Sequence, residues 1–149
     1  MVWGIVIVVG AVFLYAWAQS ALGDAEGYDM ADDLTRRIAE AIGLAEGIFH
    51  PSGTAVPQRA NNPGNLKLGD IGFGTIGGKT IYQTLADGWA ALERQINYIL
   101  TNTSRYYNSN MTIRQVAVTY TGNDNPDAWA SIVAGKLGVT PDTKMSDIV

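Results

Sequence analysis

Cysteine is absent from the 149 residues, which excludes disulfide stapling, thiolate nucleophiles and cysteine-ligated metals. Histidine occurs once, as His50, so a zinc site built on several imidazoles is excluded as well. Cations are few and scattered: ten Lys and Arg stand against fourteen Asp and Glu, for a formal net charge of -4. No basic stripe concentrates them, which argues against nucleic acid as a partner. There is no internal repeat, heptad or low-complexity tail.

Charge is also missing locally. Residues 1–23, MVWGIVIVVGAVFLYAWAQSALG, carry no charged side chain. At about 1.5 Å of rise per helical residue the run is long enough to cross a hydrocarbon core of roughly 30 Å. Trp3 lies near one end and Tyr15 and Trp17 near the other, as side chains that favour interfaces do. The reading is an N-terminal transmembrane helix. The small-x-small triplet Ala16-Trp17-Ala18 makes a cleaved signal its rival, against which stands the lack of a basic residue before the apolar run. Residues 24–33 follow as an acidic linker, and 34–149 are long enough for one core.

Within that domain, Ile38, Ala41, Ile42 and Ala45 recur at helical spacing. Glu46 follows directly, with Gly47 as the breaker. This puts a carboxylate in the last helical turn at the buried edge, where partial shielding from water suits a proton donor. The helix dipole disfavours negative charge there. A solvated carboxylate at a helix end remains the structural alternative.

A dozen residues later, Arg59, Asn61, Asn62 and Asn65 surround the Pro63-Gly64 turn. The cluster either orients a hydroxyl- and amide-rich ligand such as a polysaccharide or satisfies its own backbone. The glycine-rich stretch beyond it reads as a small sheet, Phe73–Ile76 pairing with Thr80–Tyr82 around Gly77-Gly78. Gly72, Gly74 and Gly77 spell G-x-G-x-x-G but lack the strand, helix and downstream acid of a dinucleotide site, so no cofactor is expected. Tyr82, Gln83 and Thr84 hold the loop or touch sugar. Further helices are expected from Asp87, from Thr112 and over Ala128–Leu137. Trp89 faces the core of the first, and Tyr106 and Tyr107 lie in the polar loop that follows it.

The pattern made by EG at 46 and 47, RANNPGNL from 59 to 66, IYQTLADGWAALERQI from 81 to 96 and TYTGNDNPDAWASIVAGKLGV from 119 to 139 resembles the lysozyme-like and soluble lytic transglycosylase superfamily. It is closest to the small muralytic domains of phages and prophages. The resemblance runs from about Ile38 to Val139. It implies an α+β, predominantly helical lysozyme-like fold with a small β-sheet, preceded here by the N-terminal transmembrane helix. It implies cleavage of peptidoglycan glycan strands, with Glu46 in the place of the family's acid. It also carries to Tyr120 the role of a tyrosine projecting toward that acid, with Thr121, Gly122 and Asn123 lining the floor. Thr121 departs from the asparagine of many relatives. Such a protein acts on the wall from the inner membrane, facing the periplasm, or from a virion membrane, and uses no metal.

Paired-carboxylate glycosidases hold their acids about 5 to 5.5 Å apart when retaining and about 6.5 to 9.5 Å apart when inverting. No Asp or Glu occurs between Glu46 and Asp70, and Asp70, Asp87 and Asp124 fall in a loop, a helix start and a turn. None stands out as a partner. The expectation is a lytic transglycosylase in which Glu46 is both acid and base. A hydrolytic muramidase with the same acid is one alternative, and a noncatalytic wall-binding or virion structural protein is the other.

Overall fold

The computed structural model describes residues 33–67 and 72–149. Helix α1 occupies residues 33–46, and its Ile38, Ala39, Ala41 and Ile42 are buried in the core. A single-turn helix, α2 (Val56–Arg59), opens the asparagine loop. Strands β1 (Thr75–Ile76) and β2 (Lys79–Thr80) pair antiparallel, with Thr75 opposite Thr80 and Ile76 opposite Lys79. The two-residue turn between them needs positive φ at both centres, which Gly77 and Gly78 supply at 56° and 74°. Beyond the strands the ladder continues through Phe73 N–H to Ile81 O at 2.9 Å and Ile81 N–H to Gly74 O at 3.0 Å.

Helix α3 (Leu85–Leu100) begins two residues before the expected Asp87, because Thr84 is its N-cap and Asp87 completes a reciprocal capping box. Thr112 caps α4 (Ile113–Thr121) in the same way through Gln115. Helix α5 (Pro126–Leu137) starts on Pro126, whose missing N–H costs nothing at that position.

The core gathers one stripe from each helix: Leu92, Ile96 and Ile99 of α3, Ile113, Val116 and Ala117 of α4, and Ala130, Val133 and Ala134 of α5, packed on α1. Each large buried aliphatic side chain here is worth roughly 1.5–3 kcal/mol of transfer free energy. The last residues strap across this base: Ile113 N–H donates to Thr143 O at 3.0 Å and Met145 N–H to Met111 O at 2.9 Å. Arg114 pairs with both Asp127 and Asp142, tying the starts of α4 and α5 to that strap.

Two corrections to the expected fold class follow. The architecture is α+β, but about half of the described residues are helical rather than a large majority, the remainder being turns, loops and the small sheet. The transmembrane helix expected over residues 1–23 lies outside the described residues, and no helix among the described residues is long and apolar enough to cross a membrane. The longest of these, α3, has 16 residues and carries Asp87, Glu93 and Arg94 on its polar side, against the roughly 20 apolar residues a span needs.

Candidate active site

The end of α1 is set by a glycine. Gly47 adopts φ 86°, Ile48 N–H reaches back to Gly43 O at 3.0 Å, and Gly47 N–H reaches Leu44 O at 3.2 Å. This pair of bonds is the Schellman closure, and it makes Glu46 the C-cap residue. A carboxylate at that point faces the negative end of the helix dipole. Two donors from distant parts of the chain offset this: Asn65 Nδ2 donates to Glu46 Oε2 at 2.9 Å, and Trp129 Nε1 donates to Glu46 Oε1 at 2.7 Å. Each carboxylate oxygen thus has one fixed partner and retains a lone pair for another.

Asn65 is delivered by a loop whose other asparagines act as scaffolding. Asn62 is fully buried; its Nδ2 donates to Leu66 O and Thr80 O, both at 2.9 Å, and its Oδ1 accepts from Leu66 N–H at 2.9 Å. It therefore clamps the loop to β2. Asn61 and Asn65 both take φ 50°, a conformation that asparagine tolerates better than most residues. Underneath, α3 approaches so closely that a Cβ on Gly88 would lie 1.9 Å from Asn61 O. Tyr120 closes the far side, its hydroxyl donating to Gly64 O at 2.6 Å.

Trp129 comes from the first turns of α5. Its ring lies 5.1 Å from that of Tyr120, and Tyr107 lies 6.4 Å beyond Tyr120. This aromatic row fixes the direction of the indole N–H. Burial, followed by the nearby charge of Glu46, pushes the Tyr120 phenol well above the ordinary tyrosine value. Tyr120 is therefore a neutral donor at physiological pH.

Glu46 opens onto a cleft of about 470 Å³, bordered also by Lys79, Thr121, Asp124 and Asn125. Burial lowers the Lys79 ammonium from its usual range, the Glu46 charge counters this, and Lys67 adds to the lowering. Two polar atoms buried in residues of this wall, Asn65 Oδ1 and Thr121 Oγ1, lack hydrogen-bond partners. Each such atom costs about 1–3 kcal/mol, and functional sites are where such costs accumulate. The arrangement is an oriented carboxylate able to give and take a proton in an open, polar groove.

Of the residues singled out in the sequence, Glu46, Asn65 and Tyr120 come together here. Thr121 borders the cleft as well, whereas Arg59, Asn61, Asn62, Tyr82, Gly122 and Asn123 do not. Arg59 ends α2 and is exposed. Asn61 Nδ2 donates to Tyr82 O at 3.2 Å, and Asn62 is the clamp just described. Tyr82 is buried and borders a separate hollow of about 140 Å³ with Phe73, Gln83 and Asp87. Asn123 is exposed in the α4–α5 turn, with φ 69° and its N–H on Val118 O. His50 turns back on its own loop, Nδ1 lying 2.8 Å from Ser52 Oγ. Among the described residues no three His, Cys, Asp or Glu side chains gather into a metal-holding group.

Sequence alone does not single out Trp129 or Lys79, and it places Asp124 only in a turn. Trp129 shares the i, i+4 stripe of Val133 and Leu137, so periodicity alone marks it as core. Lys79 reads as a hairpin residue, and its nearness to Glu46 depends on the Asn62 clamp. Comparison with known proteins finds no matching family model, curated relative or solved structure.

Proposed function

We propose that the chain is a peptidoglycan lytic transglycosylase cleaving the MurNAc-GlcNAc β-1,4 bond, with Glu46 as acid and then base. The observation that carries this reading is the Glu46 carboxylate held by Asn65 Nδ2 and Trp129 Nε1 at the floor of an open polar cleft. A solvated helix-end carboxylate needs no such pair of donors. The sequence resemblance from Ile38 to Val139 points to the same chemistry.

In the first step protonated Glu46 gives its proton to the glycosidic oxygen, the C1–O bond breaks, and an oxocarbenium-like muramoyl centre forms. The GlcNAc hydroxyl leaves with that proton. In the second, the muramoyl 6-hydroxyl bonds to C1 while Glu46, now a carboxylate, takes the hydroxyl proton. The product is a 1,6-anhydro ring and the acid is restored. Asn65 and Trp129 keep the carboxyl oriented through both transfers, and orientation of this kind contributes directly to rate.

Hydrolysis by the same acid is the second reading, favoured by one observation: Asp124 borders the cleft that Glu46 opens onto. A base there would activate water against C1. The experiment is digestion of purified peptidoglycan by the wild type and by Glu46→Gln, with mass spectrometry of the fragments. We expect anhydromuramoyl ends, lighter by one water than reducing ends, and a loss in Glu46→Gln of about 10² to 10⁴ in rate with unchanged circular dichroism. Reducing ends select hydrolysis and Asp124. Undiminished cleavage by Glu46→Gln removes Glu46 from the mechanism.

A further inference from the structure

The cleft does not end at its own wall. Asn65, Lys79 and Tyr120 also border a second compartment of about 320 Å³, on whose rim lie Lys67, Tyr106 and Tyr107. The two compartments differ in sign. The first has Glu46 and Asp124 with Lys79, whereas among the described residues no Asp or Glu borders the second, which has two lysines. Arg105 adds a third cation at its edge, its guanidinium carbon 5.7 Å from the Tyr106 ring centre. This concentration of positive charge occurs in a chain of formal net charge -4. Among the described residues neither Lys67 nor Lys79 is in an ion pair with another side chain; burial is the first cause that lowers the Lys79 ammonium, the Glu46 charge opposes it, and Lys67 lowers it further. Two like charges held together in this way are relieved by an anion between them.

Resting on the glycan-cleaving reading, we propose that this second compartment binds the carboxylate-bearing stem peptide of the muramoyl residue, so that peptide-substituted strands are preferred over bare ones. Because Asn65, Lys79 and Tyr120 border both compartments, the second lies beside the first, within reach of a substituent of a sugar held at Glu46. Asp124 repels a carboxylate from the first compartment, while Lys67 and Lys79 attract it into the second. The hydroxyls of Tyr106 and Tyr107 and the amide of Gln95 offer partners for peptide groups.

The test is calorimetric binding to the full chain carrying Glu46→Gln, which separates affinity from turnover. Two probes are compared: GlcNAc-MurNAc bearing a tetrapeptide stem, and GlcNAc-MurNAc with its lactyl carboxyl capped as the methylamide. The peptide probe is expected to bind about tenfold tighter or more, the scale of one charged hydrogen bond. That advantage should shrink with added salt, disappear on adding Lys67→Ala and persist with Lys67→Arg. Equal affinities, or an advantage that survives Lys67→Ala, overturn the subsite. Wild-type cleavage with no peptide advantage rejects the subsite and keeps the chemistry. A peptide advantage without wild-type cleavage rejects the chemistry and keeps the subsite.

Discussion

Trp129 Nε1 donates to Glu46 Oε1 at 2.7 Å, joining residues 83 apart in the chain. The indole is therefore both a core side chain and a handle on the acid, with its ring against Tyr120 and its N–H in the cleft. Trp129→Phe separates the two roles, since it keeps an aromatic ring and removes the donor. A hydrogen bond to a charged group is worth about 1.5–3 kcal/mol, so kcat is expected to fall by about 10- to 150-fold. Steady-state rates on purified peptidoglycan, read beside the near-ultraviolet spectrum, check this. A kcat within twofold of wild type would reduce Trp129 to packing.

Asn62 and Asn65 stand three residues apart and are expected to fail in opposite ways. Asn62→Ala removes the bonds to Thr80 O and Leu66 N–H, at about 1–3 kcal/mol for each group left unsatisfied, while Leu66 O keeps its bond from Thr80 N–H. The variant's urea midpoint should drop sharply. Asn65→Ala removes one bond to Glu46 and a side chain whose Oδ1 had no partner. Alanine at φ 50° adds backbone strain, so stability should fall by about 1–2 kcal/mol while kcat falls by more, because orientation matters most when the bond breaks. Matched losses of stability and turnover in Asn65→Ala would assign it to the turn.

These contrasts mark what the sequence discloses. Local chemistry was legible: the Gly47 stop after Glu46, the Gly77-Gly78 turn and the helix start near Thr112 are each decided by neighbours within a few residues. The candidate site was legible where a residue had no structural excuse, as with an acid at the wrong end of a helix dipole. It was illegible where one side chain has two roles. Trp129 fits the apolar stripe of α5 so well that periodicity explains it completely. Asn61 and Asn62 look as available to a ligand as Asn65, and only long-range bonds to Tyr82 and Thr80 separate them. The apolar start, residues 1–23, lies outside the described residues.

Gly88 tests how the loop is held. Alanine is the better helix residue by about 1 kcal/mol, which alone would stabilise α3. Against this, the added Cβ would lie 1.9 Å from Asn61 O and 2.8 Å from Pro63 Cδ. The first of these is backbone and has no rotamer to change, so overpacking at about 1–3 kcal/mol should win. Gly88→Ala is expected to be less stable in urea and slower in turnover, because the displaced loop carries Asn65. An increase in stability would mean that the loop yields freely.

Tyr120 predicts an alkaline limit. Its phenol is raised well above 10.0, first by burial and then by Glu46, so the folded protein holds this proton where an unfolded chain loses it. Below pH 10 both states are neutral and the group adds no pH dependence. As pH rises through 10 toward the folded value, the unfolded state binds fewer protons and stability falls. Tyr120→Phe should remove that share of the fall, while Tyr107, raised by burial, keeps its own. At neutral pH the same variant loses the hydroxyl bond to Gly64 O, about 1 kcal/mol. Urea midpoints at pH 8 and pH 10.5 read both effects: the variant should start lower at pH 8 and lose less by pH 10.5. Parallel losses in the two proteins would show that the Tyr120 hydroxyl meets water freely in the folded state.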